Sequence, residues 1–162
     1  MKIAQLRILN TKEKHSIERK LNEQFGIKKV PGLLVRRGAE RLFLFTGSMK
    51  NQEIHKLEHE IPIERLGVYF AKFVHDKNRG ETWIKLSIEG VQMMKDQITK
   101  NIFELNEEQA ERWMGGQDLQ IATGKYGFII LKHSEDFLGS GKASAEKIGN
   151  YIPKSRRLKP RS

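Results

Sequence analysis

The hydrophobic pattern near the start of the chain predicts an amphipathic helix. Ile17, Leu21 and Phe25 recur every four residues, so they fall on one face of a helix and form a stripe that can be buried. Asn10 offers a side-chain oxygen that can cap the first turn, and Gly26 suits the end because glycine readily adopts a positive φ. A helix is therefore expected between Asn10 and Gly26.

Apolar runs separated by polar turns predict two β-hairpins in the first half of the chain. One pairs residues 30–35 with residues 41–45, and the other pairs residues 66–74 with residues 82–88. Two further helices are predicted, one beginning near Ser48 and one over residues 88–98. Strands that alternate with helices indicate an α/β domain, which is expected to occupy residues 1–97.

From residue 98 onward the pattern changes to short apolar runs and glycine-containing turns. Asn106 followed by Gln109 is a capping-box spacing, which predicts a short helix ending near Trp113. The apolar, β-branched run 128–131 predicts a buried strand. A glycine turn is predicted over residues 138–141 and a basic strand over residues 154–159. The prediction is an α+β chain whose second domain, residues 98–162, is mostly β.

The positive charge of the chain is concentrated at its two ends. The net charge is +10 over 162 residues. Residues 1–36 hold nine lysines and arginines against three glutamates, and residues 142–162 hold seven against one, so each end carries +6. Residues 37–141 carry −2. Clustered positive charge favours a polyanionic partner, and a nucleic-acid phosphate backbone is the commonest one.

Other features of the composition exclude several classes of protein. No apolar run approaches the roughly 18–20 residues that a membrane span requires, and no signal peptide is visible. The absence of cysteine excludes disulfides, thiolate metal ligands and a thiol nucleophile. We therefore expect a cytoplasmic protein without membrane association.

Two short motifs suggest enzymatic chemistry. Residues 139–142 read Gly-Ser-Gly-Lys, but Asp136 and Ala143 stand where a phosphate-binding P-loop needs glycine and serine or threonine. His55, Glu58 and His59 spell the inverted zinc-peptidase order, in which two histidines one helical turn apart bind zinc and the glutamate acts as the base. No third ligand has a distinctive context, so a zinc hydrolase is kept as an alternative and no cofactor is predicted.

Basic residues of the second domain are the candidate RNA-binding residues. Arginine can bind phosphate oxygens in a bidentate way, and lysine supplies a point charge. The stronger candidates are Lys142, Lys154, Arg156 and Arg157, and the weaker ones are Arg112 and Lys125. Trp113 has two interpretations, because its indole can stack on an unpaired base or pack in the core.

The second half resembles a PUA domain, a small RNA-binding pseudobarrel. The likeness lies in residues 101–119, 124–143 and 150–158, with a strand, helix and glycine turn followed by a hydrophobic strand and a Leu-Gly-x-Gly segment. Residues 66–73 and 82–94 are similar in order to the pre-PUA domain of the nuclear-import-protein-seven family of ribosome-biogenesis factors. The whole also resembles the RNA-binding region of the Nol/Nop/sun RNA cytosine methyltransferases, without their catalytic domain.

The resemblance implies a non-catalytic protein of ribosome biogenesis that binds an rRNA precursor or a tRNA and acts in rRNA processing or RNA modification. It also implies protein partners from ribosome assembly or RNA modification. It does not imply methylation by this chain, since those methyltransferases attack cytosine with a cysteine and this sequence has none. A protein-interaction scaffold whose basic ends meet acidic partners is the third hypothesis, beside the zinc hydrolase.

Overall fold

The computed structural model describes residues 6–46 and 67–159, which form nine strands and three α-helices. The strands are β1 (Leu6–Ile8), β2 (Leu33–Arg37), β3 (Arg41–Phe45), β4 (Val68–Asp76), β5 (Glu81–Leu86), β6 (Ile102–Glu104), β7 (Gly127–His133), β8 (Asp136–Ala143) and β9 (Ile148–Gly149). The helices are α1 (Thr11–Phe25), α2 (Ile88–Met94) and α3 (Glu107–Met114). Two 3₁₀ turns cover Lys95–Gln97 and Lys154–Arg156. The predicted α+β class is confirmed.

The first sheet contains β1 to β5 in sequence order, with every neighbouring pair antiparallel. Both predicted hairpins are present, one formed by β2 and β3 and the other by β4 and β5. Helix α1 begins after Asn10, whose side chain accepts a hydrogen bond from the Glu13 N–H at 2.8 Å, and ends at Gly26 with φ of 81°. The helix predicted near Ser48 lies outside the described residues.

A buried core joins α1 and α2 to one face of the first sheet. The stripe of α1 packs against alternate residues of the strands, including Leu42 and Ile84. Gln24 is also buried, and its amide donates to the Ile84 carbonyl at 3.0 Å and accepts from the Ile84 N–H at 2.9 Å. The Gln24 side chain thus provides hydrogen-bond partners for the backbone of the edge strand β5, as a further strand would do.

The second sheet has the order β6-β7-β8-β9, in which β6 runs parallel to β7 and the other pairs are antiparallel. Helix α3 has the predicted capping box between Asn106 and Gln109. Trp113 is fully buried in the core of this half. A Cβ atom on Gly141 would lie 2.5 Å from the Trp113 ring, so the glycine in β8 makes room for the indole.

Three details of the sequence-based prediction are wrong. Residues 138–141 do not form a turn but lie inside β8, because Gly141 is needed for close packing on the helix and Gly139, with φ of 109°, sits opposite a register shift in β7. Residues 154–159 begin with the 3₁₀ turn rather than a strand. The helix predicted over residues 88–98 stops at Met94, where a 3₁₀ turn replaces it.

The two halves share an extensive contact, here called the seam, in which β5 and α2 face β7, β8 and the segment after β9. Phe128 and Ile130 of β7 belong to the core of the first half. Ser140 donates its hydroxyl to the Leu86 carbonyl at 2.8 Å, and Trp83 packs on Gly127. The domain boundary at residue 98 stays a prediction. Among the described residues, no helix is long and apolar enough to cross a membrane.

Candidate nucleic-acid interface

A groove opens along the seam and encloses about 470 Å³. The first half contributes strand β5 and the start of α2 to its wall, and the second half contributes β8 and the segment after β9. We define the seam groove by six of the residues that line it: Tyr69, Lys85, Ser87, Ser140, Tyr151 and Arg156. The groove therefore combines two cationic side chains and two tyrosine rings with serine hydroxyl groups, and the Glu89 carboxylate also lines it.

Lys85 is the central cation of the seam groove. Alternation along β5 buries Ile84 and Leu86 in the core, so Lys85 lies on the opposite face, towards the second half. Its half-buried ammonium sits 4.2 Å from the centre of the Tyr151 ring. Burial, and then the neighbouring charge of Lys72, lowers the pKa of Lys85. In the described part of the chain no carboxylate lies within ion-pair distance of this ammonium.

Tyr151 is exposed yet held firmly in place. Asn150 donates its side-chain amide to the Trp113 carbonyl at 2.8 Å and its N–H to Asp118 at 2.8 Å. On the other side Ile152 is buried in the second core. Between these anchors, 47% of Tyr151 remains accessible to solvent, with its ring 6.3 Å from that of Phe128. A fixed and accessible aromatic ring beside a cation is a suitable stacking surface for a nucleic-acid base.

Towards the β4–β5 turn, the seam contains a second cation and tyrosine, Arg79 and Tyr126, together with Asp76. Tyr126 donates its hydroxyl to Asp76 at 2.8 Å, and the Arg79 guanidinium lies 3.7 Å from the centre of the Tyr126 ring. The hydrogen bond from Tyr126, helped by the N–H groups of Arg79 and Asn78 and the charge of Lys142, lowers the pKa of Asp76. The same hydrogen bond raises the pKa of Tyr126. The groups at this end of the seam are bonded to one another.

Two of the six predicted residues border the seam. Lys142 lies in β8 opposite Phe128, close to the segment that carries Tyr151, and its charge acts on Asp76. Arg156 lines the groove and forms an ion pair with Glu89 at the start of α2. Lys142 and Arg156, like Lys85, are therefore cations of the seam, and the charge of Arg156 is paired with Glu89.

The other four predicted residues lie elsewhere in the second half. Arg157 donates to the Ile152 carbonyl at 3.0 Å and packs over Gly116, so its half-buried guanidinium helps to hold the tail on the end of α3. Arg112 is exposed in the last turn of that helix, and Lys154 is exposed in the 3₁₀ turn before Arg157. Lys125 lies in the loop before β7.

Sequence reasoning missed Lys85 and Tyr151, the two residues at the centre of the groove. The sequence did contain a signal for Lys85. Trp83 lies two residues before it and therefore on the same face of β5, opposite the core. A tryptophan on that face indicates that another part of the protein covers it. Tyr151 had no such signal, since its position depends on the bonds of Asn150. The core interpretation of Trp113 is confirmed by its complete burial.

The zinc-peptidase motif of His55, Glu58 and His59 lies outside the described residues. Within residues 6–46 and 67–159, no group of three or more histidine, aspartate or glutamate side chains is arranged to hold a metal ion.

Comparison with known proteins identifies the second half. Residues 100–158 match the family model of the methyltransferase RsmF PUA domain. The ribosomal RNA small subunit methyltransferase F of Psychromonas ingrahamii is 31% identical over 134 residues, which are 81% of this chain and 26% of that protein. This chain thus spans about a quarter of the relative's length. The predicted resemblance to the Nol/Nop/sun methyltransferases is confirmed, and residues 100–158 form a PUA domain of the RsmF type.

Proposed function

We propose that this chain binds ribosomal RNA of the small subunit through the seam and acts in rRNA modification. The observation that carries the proposal is the position of three cations where an RsmF-type PUA domain meets the sheet before it: Lys85 and Arg156 line the groove, and Lys142 lies beside the seam. The relative is a ribosomal RNA small subunit methyltransferase, which supports this class of RNA as the target.

The electrostatics of the seam favour a phosphate backbone. Lys85 is half-buried, and both its burial and the charge of Lys72 disfavour its protonated form, whereas Lys72 itself is paired with Glu40 at 3.5 Å. Each phosphate contact releases condensed counterions from the RNA, which makes binding strongly dependent on salt. Arg112, Lys125 and Lys154 extend the basic surface of the second half and are proposed as outer phosphate contacts, and Arg157 is proposed to contribute mainly by holding the tail.

We propose further that these residues bind RNA and catalyse no reaction. The family model that matches is that of a PUA domain, and the sequence contains no cysteine to attack a cytosine. Modification chemistry would then come from another polypeptide or another region. Proteins of ribosome assembly or RNA modification are the proposed further partners, and the cytoplasm is the proposed location.

A salt titration of RNA affinity tests the proposal. The protein is bound to a small-subunit rRNA fragment with a stem and a loop on a filter between about 50 and 200 mM salt. We expect the logarithm of the binding constant to fall linearly with the logarithm of the salt concentration. Charge reversal in Lys142→Glu and Arg156→Glu is expected to weaken binding and to reduce the slope by about 1 for each phosphate contact removed.

Lys12→Glu is the matched control for these charge reversals. Lys12 is exposed in the first turn of α1, which packs on the face of the first sheet opposite Lys85. It changes the net charge by the same amount as either seam variant. Equal losses in the control and the seam variants would reject the seam as the binding surface, and lack of affinity for the RNA at the lowest salt would reject the function itself.

A further inference from the structure

We propose that the seam groove binds a single unpaired nucleotide of the RNA, with its phosphate at Lys85 and its base on the Tyr151 ring. This inference rests on the proposed function and names the part of the RNA that is recognised. It assigns a separate task to the two residues at the centre of the groove, and it leaves Lys142 and Arg156 to contact phosphates on either side.

The phosphate is assigned to Lys85 because no carboxylate of residues 6–46 and 67–159 lies within ion-pair distance of this ammonium. It is half-buried, it lies 4.2 Å from the centre of the Tyr151 ring, and the charge that acts on it is that of the cation Lys72. The described carboxylate nearest along the groove, Glu89, is paired with Arg156. A phosphate oxygen at the mouth of the groove would satisfy the ammonium and relieve its repulsion with Lys72.

The base is assigned to Tyr151 because its ring is both accessible and fixed. With 47% of the residue exposed and the neighbours Asn150 and Ile152 anchored in the second half, the ring does not have to be ordered when a base arrives. Pre-ordered contacts cost less entropy on binding. Stacking on an aromatic side chain tolerates any base, so the site is expected to prefer unpaired nucleotides without strong sequence selectivity.

The nucleotide must be unpaired because stacking needs the face of a base. In an A-form duplex the faces are covered by neighbouring base pairs, and only the edges and the backbone are accessible to a protein. The groove volume of about 470 Å³ lies within the range of small-molecule sites, roughly 300–1,000 Å³, and is lined on both sides by protein. These dimensions suit one nucleotide and not a double helix.

Two RNAs distinguish this inference from general RNA binding. One is a blunt hairpin whose two strands are joined by a non-nucleotide linker, so that all of its nucleotides are paired, and the other is the same hairpin with a short 3′ single-stranded extension of mixed sequence. We expect Tyr151→Ala to weaken binding of the extended hairpin roughly 5- to 100-fold, the range of one lost base stack, and to leave the blunt hairpin within about twofold. Lys85→Met is expected to act in the same direction on the extended hairpin.

The other end of the seam supplies matched controls. Tyr126→Phe and Arg79→Gln likewise change a tyrosine and a cation of the seam, but the Tyr126 hydroxyl is bonded to Asp76 and the Arg79 guanidinium lies against the Tyr126 ring. Both variants are expected to bind the two RNAs within about twofold of the unchanged protein. Circular dichroism and thermal unfolding verify that each variant is folded, and a 4-thiouridine in the extension should crosslink to the segment that contains Tyr151.

The outcomes separate the two proposals. If the unchanged protein binds neither hairpin, the proposed function and this inference both fail. If it binds both hairpins and the Lys85 and Tyr151 variants lose no more affinity for the extended hairpin than for the blunt one, the proposed function stands and the nucleotide site is rejected. A selective loss for the extended hairpin, together with the crosslink, supports the site.

Discussion

Each end of the seam contains a cation next to a tyrosine ring, but the bonding of these groups differs between the two ends. At the closed end, Arg79 covers the Tyr126 ring, and the Tyr126 hydroxyl is bonded to Asp76. At the open end, the Lys85 ammonium lies over one face of the Tyr151 ring, and no carboxylate of the described chain completes the group. Each end pairs a cation and a tyrosine from opposite halves of the chain. The carboxylate is the difference between them.

This comparison separates a structural contact from a binding site. At the closed end the Tyr126 hydroxyl is bonded to Asp76 and the Arg79 guanidinium lies against the Tyr126 ring, so these groups hold the two halves together. At the open end a half-buried cation is kept beside another cation, an arrangement that lowers stability in the free protein. Proteins commonly accept such a cost where a ligand supplies the missing partner.

Placing a carboxylate at the open end should produce the largest change in RNA affinity. In Tyr151→Glu a carboxylate replaces the ring beside Lys85, so the open end acquires the group that distinguishes the closed end. We expect affinity for the extended hairpin to fall about 10- to 100-fold, because the stack is lost and the carboxylate competes with phosphate for the ammonium. Filter binding at constant salt measures the loss.

Tyr151→Gln is the control for this change, since it removes the ring and adds no charge. A smaller loss than in Tyr151→Glu is expected. If the two variants bind RNA equally, the charge of Lys85 does not contribute and the assignment of the phosphate is wrong.

Removing the carboxylate from the closed end should mainly lower the thermal stability of the protein. Asp76→Ala removes the acceptor of the Tyr126 hydroxyl and of the N–H groups of Asn78 and Arg79. We expect the midpoint of thermal unfolding to fall by several degrees, because three donors lose their partner and the β4–β5 turn loosens. RNA affinity of the folded protein should change little. A variant that keeps its thermal midpoint would contradict the structural role of the closed end.

The local elements of this fold could be predicted from the sequence because their signals are local. The stripe of Ile17, Leu21 and Phe25 and the cap at Asn10 define α1, and the Asn106 capping box defines α3. The glycines of β8 were misleading, since Gly141 serves close packing against Trp113 in space and not a turn in the chain. Glycine permits both, and only the tertiary contact distinguishes them.

The candidate site was only partly predictable because it lies between elements that are far apart in sequence. Basic residues towards the end of the chain indicated Arg156, which lines the groove, and Lys142, which lies beside the seam. The pairing of Lys85 with Tyr151 depends on how two sheets meet, and no periodicity encodes it. Arg157 has the same charge as its neighbour, yet its bond to Ile152 gives it a structural task.

Removing the charge at the open end should stabilise the protein slightly. The pKa of Lys85 is lowered on folding from its ordinary value of 10.5, so the charged form is disfavoured in the folded state. Stability therefore rises as pH increases through the folded pKa towards 10.5, where the unfolded chain holds more protons. We expect Lys85→Met to raise the free energy of unfolding at about pH 7 by about 0.5 kcal/mol or less.

Urea unfolding at about pH 7 and about pH 10 checks this prediction. The gain from Lys85→Met should shrink at the higher pH, because deprotonation then removes the same charge from the unchanged protein. Lys20→Met is a suitable comparison, since that ammonium donates to the Thr82 carbonyl at 3.0 Å and its loss should not stabilise. A loss of stability in Lys85→Met at neutral pH would show that its contact with Tyr151 outweighs the desolvation.

The smallest expected effect is on the free energy of unfolding in acid, where the hydrogen bond at the closed end is lost. Tyr126→Phe removes the hydrogen bond that contributes most to the lowered pKa of Asp76. Because the folded pKa lies below the ordinary 3.8, the stabilisation is complete above that pH and is lost as pH falls through the folded pKa. The difference in unfolding free energy between the unchanged protein and Tyr126→Phe should therefore be constant near neutrality and narrow in acid.

Tyr151→Phe alters a hydroxyl at the open end, where the ring lies beside a cation and not a carboxylate, so it should show no such narrowing. Parallel acid profiles for the two variants would mean that the bond to Asp76 does not distinguish the two ends.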